Sequence, residues 1–178
     1  GRALGASMAS YLGDEDVGTG SSAPNAITVG ATSAVTADST TTVTFDEAKE
    51  LMQAVKPGYR VNGSWIANSA LTLDWLQAKD GESRYLWEPR NMVSSPDMLW
   101  GHPFYEDAYF DASAASNKVV GFGDVAAGFI VRMVGPMEIG FSRDANFASF
   151  EVQMRYGLWF DSATVDASAF QVVTLAAS

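Results

Sequence analysis

The single histidine of the chain, His102, lies in the stretch LWGHPFYED (Leu99 to Asp107), with Glu106 and Asp107 close behind it. An imidazole near carboxylates is the material of general-base catalysis or of a metal site. A zinc site needs three or four ligands, and the chain has no second His and no Cys. A Ser-His-Asp triad needs an activated serine, and no G-x-S-x-G is present. His102 therefore reads as a partly exposed residue at a strand end, before a turn bounded by proline.

Three other patterns carry chemistry in other proteins. Asp14, Asp16 and Gly18 in DEDVGTG resemble the start of a calcium loop. An EF-hand wants a side-chain oxygen where Gly18 stands and a Glu where Asn25 stands, so a solvated turn is the reading. Gly121, Gly123 and Gly128 in GFGDVAAG miss the dinucleotide spacing, and FIVRMV after them has the pattern of a strand. Glycines at a tight connection between strands explain them better. Of the five tryptophans, Trp65 and Trp75 sit inside apolar runs and are expected in the core. Trp87, Trp100 and Trp159 are open to a sugar platform or, as aromatic anchors, to a protein interface.

Any such site must be positioned by a chain of 178 residues, 47% hydrophobic, 18% charged and 12% aromatic. That supports a real core. The net charge of -10 repels a phosphate backbone and argues against sequence-specific DNA recognition. The absence of cysteine excludes disulfides and thiolate chemistry. No apolar run approaches the ~20 residues that span a bilayer, so no membrane partner is expected.

Leu4, Met8, Tyr11 and Leu12 fall on one helix face, with nothing before them to cap it. The expectation is the end of a longer helix, and hence a fragment. Gly13 to Thr44 is polar and predicts loop, with one short strand near Ala26 to Val29. Thr44 and Glu47 form a capping box for a helix with Phe45, Ala48, Leu51, Met52 and Val55 on its buried face, stopped by Pro57-Gly58. GSWIAN predicts a strand and NSALTLDWLQAKDG a second helix. RYLW, LWGHPF, KVVGF, GFIVRMV and MEIGF then predict short strands. In FEVQMRYGLWF, Phe150, Val152, Met154, Tyr156, Leu158 and Phe160 alternate with Glu151, Gln153, Arg155 and Gly157. This predicts a long strand with one buried face. AFQVVTL predicts the last strand. The fold class is α+β, with helices on a mostly antiparallel mixed sheet.

Four stretches come in the order of a known family: WIANSALTLDWLQAKDGESRYLW, LWGHPFYED, VVGFGDVAAGFIVRMVGPMEIGFSRD and FEVQMRYGLWFDSATVDASAFQVVTL. Lys79-Asp80 to Arg84-Tyr85-Leu86-Trp87, the G-x-P of Gly101-His102-Pro103, the F-G-D of Phe122 to Asp124 and the long strand around Arg155 carry the resemblance. The chain resembles the tailed-phage major capsid proteins of the Hong Kong 97 type. The resemblance places His102 at the variable position of a structural turn. It implies a truncated form of that fold: residues 1–13 the end of the spine helix in the peripheral domain, 14–44 a loop, 45–135 the axial domain, 136–161 peripheral-domain strands, and 162–178 a return to the axial domain.

It also implies a structural shell subunit and no enzyme, cofactor or metal. The expected partners are copies of itself in hexamers and pentamers, a scaffold or protease during assembly, and packaged double-stranded DNA bound without sequence preference. The expected location is the virion, after assembly in the host cytoplasm. An encapsulin-type compartment is the related alternative. A carbohydrate-binding module or a His/carboxylate hydrolase is the alternative of another class. Some relatives weld subunits through a Lys–Asn isopeptide bond helped by a Glu. Asn146 falls at the acceptor position and Gln153 at the helper position, which argues against a weld. Asn146, Arg155, Trp159 and Trp100 are the expected subunit-contact residues.

Overall fold

The computed structural model describes Met8, Tyr11, Leu12, residues 23–87 and residues 96–177, with only the backbone described at 145–147. The Asp14/Asp16 loop lies outside the described residues. Eight strands follow one another as β1 (Thr32–Thr36), β2 (Ser64–Ala67), β3 (Asp97–Leu99), β4 (His102–Glu106), β5 (Lys118–Gly123), β6 (Phe129–Asn146), β7 (Glu151–Thr164) and β8 (Phe170–Thr174). Six of them form one sheet in the order β1-β8-β5-β2-β4-β3, and β6 and β7 form a separate two-stranded ribbon. The β1–β8 and β2–β4 pairs are parallel and the others antiparallel. This is the mixed α+β architecture expected from the sequence.

The polar stretch before Thr44 departs from expectation. Ala26 to Val29 is not a strand: Ile27–Gly30 is a one-turn helix, α1, and the strand β1 follows it. The strand is fixed by pairing with β8 at the far end of the chain, a partner that local pattern does not reveal.

Helix α2 (Phe45–Ala54) begins as read. The Thr44 hydroxyl accepts from the Glu47 N–H, and the Glu47 carboxylate accepts from the Thr44 N–H at 2.6 Å. Pro57 ends that helix but also opens a single turn, α3 (Pro57–Arg60), because proline suits a first helical position. Arg60 donates back to the Val55 carbonyl at 2.6 Å, which satisfies an orphan at the end of α2. Helix α4 (Ser69–Gln77) is capped by the Asn68 side chain, which accepts from the Ala70 N–H.

RYLW is not a strand. Asp80 accepts the N–H groups of Glu82 and Arg84 at 2.9 Å each, and this doubles the chain back so that Tyr85 forms one isolated bridge with Lys79. LWGHPF is a hairpin rather than one strand. Trp100 and Gly101 both take left-handed backbone (φ 48° and 85°) and turn β3 into β4. GFIVRMV and MEIGF are one strand, β6. Gly135, at φ 74°, and Pro136 sit where the register shifts, so the ladder absorbs them as a bulge.

The main core lies between the sheet and helices α2 and α4. Leu51 and Val55 meet Leu71 and Trp75 from the helices, and Trp65, Phe104, Phe122 and Val173 from the sheet. A second cluster around Ile27, Phe110, Phe170 and Val172 covers the opposite face.

Candidate subunit-contact surfaces

His102 is committed to the fold. Its Nδ1 lies 3.1 Å from the Gly63 carbonyl, and its ring meets Phe122 edge-on at 5.1 Å. The two carboxylates are engaged elsewhere: Glu106 accepts from Ser69 at 3.5 Å and Asp107 from the Tyr109 N–H at 2.9 Å. Among the described residues, no arrangement for proton transfer is assembled around the imidazole.

The glycine cluster has a packing cause. Gly123, at φ 149°, closes on the next strand: a Cβ there would sit 2.1 Å from the Ala169 carbonyl oxygen. Only the four-residue helix α5 (Val125–Gly128) follows, capped by Asp124, before β6 begins.

The tryptophans divide by role. Trp65, Trp75 and Trp87 are buried. The Trp75 indole donates to the Val43 carbonyl at 2.7 Å and that of Trp87 to the Met98 carbonyl at 3.0 Å. Trp100 is 38% exposed at the hairpin tip, edge-on to Phe45 and Trp65, with Lys49 Nζ 5.7 Å from its ring. Beside it opens a cavity of about 650 Å³, lined by Phe45, Trp75, Trp87 and Trp100, with Asp46, Lys49 and Asp74 on its wall.

Among the described residues, most of the exposed large apolar side chains lie on the ribbon. Residues opposite each other in an antiparallel ladder share a face. Met133 faces Phe160, Ile139 faces Tyr156, and Phe141 faces Met154, so one face is almost wholly apolar. The other face pairs Arg132 with Asp161, Val134 with Trp159, Gly140 with Arg155 and Ser142 with Gln153. The alternation in β7 is real, but burial of its apolar face is not. Val152, Met154 and Tyr156 are exposed, and Phe141 is 70% exposed. The Phe160 end is the partial exception, where the helical residue Tyr11 meets the Phe160 ring edge-on at 6.3 Å. Phe150 is not part of the strand. It sits at φ 55° in the turn and is 94% exposed.

Arg155 and Trp159 (70% exposed) therefore share the ribbon's polar face with the backbone position of Asn146. The Asn146 side chain is outside the described residues. Trp100 stands apart, on the β3–β4 hairpin. A concavity of about 580 Å³ includes Gly140, Gln153 and Arg155. Local sequence pattern does not show which residue of β7 stands opposite Asn146. The register sets Glu151, and not Gln153, across from Asn146, and counting back from the turn at 147–150 is the signal that finds it.

Three carboxylates are held ionised by the fold. The Ser168 hydroxyl, Tyr59 hydroxyl and Ser168 N–H bring Asp166 down to about 2. The Tyr59 hydroxyl is pushed up by the same bond. Burial works to raise Glu47, but the Asp38 and Thr44 N–H groups and the Thr44 hydroxyl outweigh it and lower it. The Arg84 N–H leads in lowering Asp80.

The model of the phage capsid family matches residues 12–175. The capsid of an empty GTA particle superposes with a TM-score of 0.84 at 19% identity, covering 99% of this chain and 64% of that one. The capsid of a native GTA particle gives 0.81 at 20% identity, covering 97% and 61%. A structure from Mycobacterium phage Cain gives 0.62 at 14% identity, covering 100% and 63%. The chain thus spans less than two thirds of the length of each. No curated protein matches it. At these identities the likeness establishes a common fold.

Proposed function

This chain belongs to the phage capsid family, and from that premise we propose that it is a structural subunit of an icosahedral phage or prophage shell around double-stranded DNA. The family match across residues 12–175 carries the reading. The open ribbon supports it, because an exposed apolar face of this extent is a surface for another protein segment. In this reading residues 45–135 are the axial domain, 136–161 the peripheral strands and 162–178 the return to the axial sheet. The supporting observation is that β2–β5 and β8 share one sheet while most of β6 and β7 stands apart from it; ribbon residues 129–135 and 162–164 fall on the axial side of these bounds, and β1, which joins the sheet, precedes them. In this reading the helical residues Met8, Tyr11 and Leu12 belong to the end of the spine helix, supported by the contact of Tyr11 with Phe160. The partners are copies of the chain in hexamers and pentamers, a scaffold or protease during assembly in the host cytoplasm, and DNA held without sequence preference. The role is structural and not enzymatic, in keeping with the engagement of His102 by Gly63 and Phe122.

Arg155 and Trp159 contact a neighbouring copy in this reading. A guanidinium there pairs with a carboxylate, and an exposed indole fills a pocket. The test is electron microscopy of the complete gene product. Closed particles are expected from the wild type, and Arg155→Ala should reduce their yield with unchanged circular dichroism. Full yield from the variant removes Arg155 from the contact set. A wild-type product that stays monomeric overturns the shell reading.

A further inference from the structure

The ribbon leaves the sheet through two adjacent segments, Asp124–Phe129 and Thr164–Phe170. Short backbone hydrogen bonds knit them together: Val165 N–H to the Gly128 carbonyl at 2.8 Å, and Asp124 N–H to the Ala169 carbonyl at 2.9 Å. Val125 and Phe129 at this root pack against the second core cluster, the Asn25 N–H donates to the Ser162 carbonyl at 3.4 Å, and among the described residues two side-chain hydrogen bonds add to these in tying the root to the body of the molecule. On one side the buried Ser162 hydroxyl donates to the Asn25 carbonyl at 2.7 Å, next to helix α1. On the other the Tyr59 hydroxyl donates to Asp166 Oδ2 at 2.8 Å. Asp166 is itself oriented by Ser168, whose N–H and hydroxyl reach Oδ1 at 2.8 and 2.6 Å. The Tyr59 ring packs against the main core, so this tie joins the ribbon root to the helix layer across 107 residues of sequence.

From this root the ribbon is a lever. A swing of about 10° there moves the tip by roughly 10 Å, given a rise of about 3.3 Å per residue over an 18-residue strand. Most of the ribbon's large apolar residues are exposed, so packing along its length does little to hold its direction. We propose that the Tyr59–Asp166 contact is a clasp that sets the angle of the ribbon to the sheet, which makes Tyr59 and Asp166 positioning residues for the surfaces the ribbon presents. The use of those surfaces in a shell rests on the function proposed above; the clasp itself does not. Of the two ties this is the one between two side chains, so removing a single hydroxyl releases it while the Tyr59 ring stays in the core.

The chain has no cysteine, so two introduced thiols can be labelled without background. Spin labels at Phe150→Cys on the turn and Leu73→Cys on α4, both exposed sites, report the ribbon-to-body distance by pulsed electron paramagnetic resonance on the dispersed chain. Tyr59→Phe should shift or broaden that distance by several ångström, with the circular dichroism spectrum unchanged. Asp166→Ala should do the same, and adding Tyr59→Phe to it should change the distance no further, because each removes the one contact. Distances identical to wild type in both single variants overturn the clasp, even if their melting temperatures fall. The measurement needs no particles, so its failure is separate from a failure to build a shell.

Discussion

Trp65 on β2 and Phe122 on β5 are register partners at the centre of the sheet, with ring centroids 4.5 Å apart. Both are fully buried. Trp75 meets the same indole edge-on at 6.3 Å. The core is therefore an aromatic cluster built across two strands and a helix, and it gives two different tryptophan sensitivities.

Among the described residues Trp65 Nε1 has no hydrogen-bond partner, whereas the Trp75 indole holds the Val43 carbonyl. Trp65→Ala should cost about 3–5 kcal/mol through the cavity it leaves. Among phenylalanine replacements, Trp75→Phe should be the more harmful by about 1–3 kcal/mol, because it orphans a buried carbonyl. Urea denaturation of both variants checks the order. Equal costs would mean that the Val43 carbonyl finds another donor.

Glu47 closes the capping box and also accepts from the Asp38 N–H at 2.7 Å, tying the end of β1 to α2. Thr44→Ala should cost about 1 kcal/mol, the usual loss of an N-cap. Glu47→Ala should cost more, since it frees two backbone donors. Thermal melts of the two variants rank them.

Asp166 has its carboxyl lowered from 3.8 to about 2 in the folded chain. A depressed carboxyl stabilises the fold above its unfolded value and loses that contribution as pH falls through its folded value. The denaturant midpoint of Asp166→Asn should therefore lie below wild type at pH 5 and above, and the gap should close between about pH 4 and pH 2. A gap that stays constant to pH 2 would show that the side chain acts without its charge.

Isopeptide welding is not expected, and denaturing gels of assembled particles should show single subunits. Should a ladder of linked species appear, the carboxylate opposite Asn146 in the register is the helper to test first. Glu151 lies across from Asn146, so Glu151→Gln should remove the ladder and Gln153→Ala should leave it. Tandem mass spectrometry of the linked peptides identifies the acceptor.

Local signals were legible wherever local chemistry decides. Thr44 with Glu47, Asn68 before α4, and the alternation from Val152 to Phe160 all lie within a few residues of what they control. Pairing was not legible. β1 exists because β8 lies beside it, and the opposition of Glu151 and Asn146 depends on a turn geometry that residue types alone do not settle. The apolar face of β7 was legible as apolar, but alternation says only that a face seeks cover, not that the same segment supplies it. Of the expected contact residues, Arg155 and Trp159 share a face because they lie four residues apart on one strand. Trp100 could not be placed relative to them without the fold.

The ribbon also makes the chain a colloid held apart by charge. Its exposed methionines, phenylalanines and tyrosine attract at contact, and the -10 net charge repels at range. That range is set by the solvent, about 10 Å at 0.1 M salt and about 3 Å at 1 M. Ionic strength thus acts as a dial on association that leaves the buried apolar contacts of the core in place. Dilute buffer favours dispersed chains, and concentrated salt lets the apolar faces reach one another.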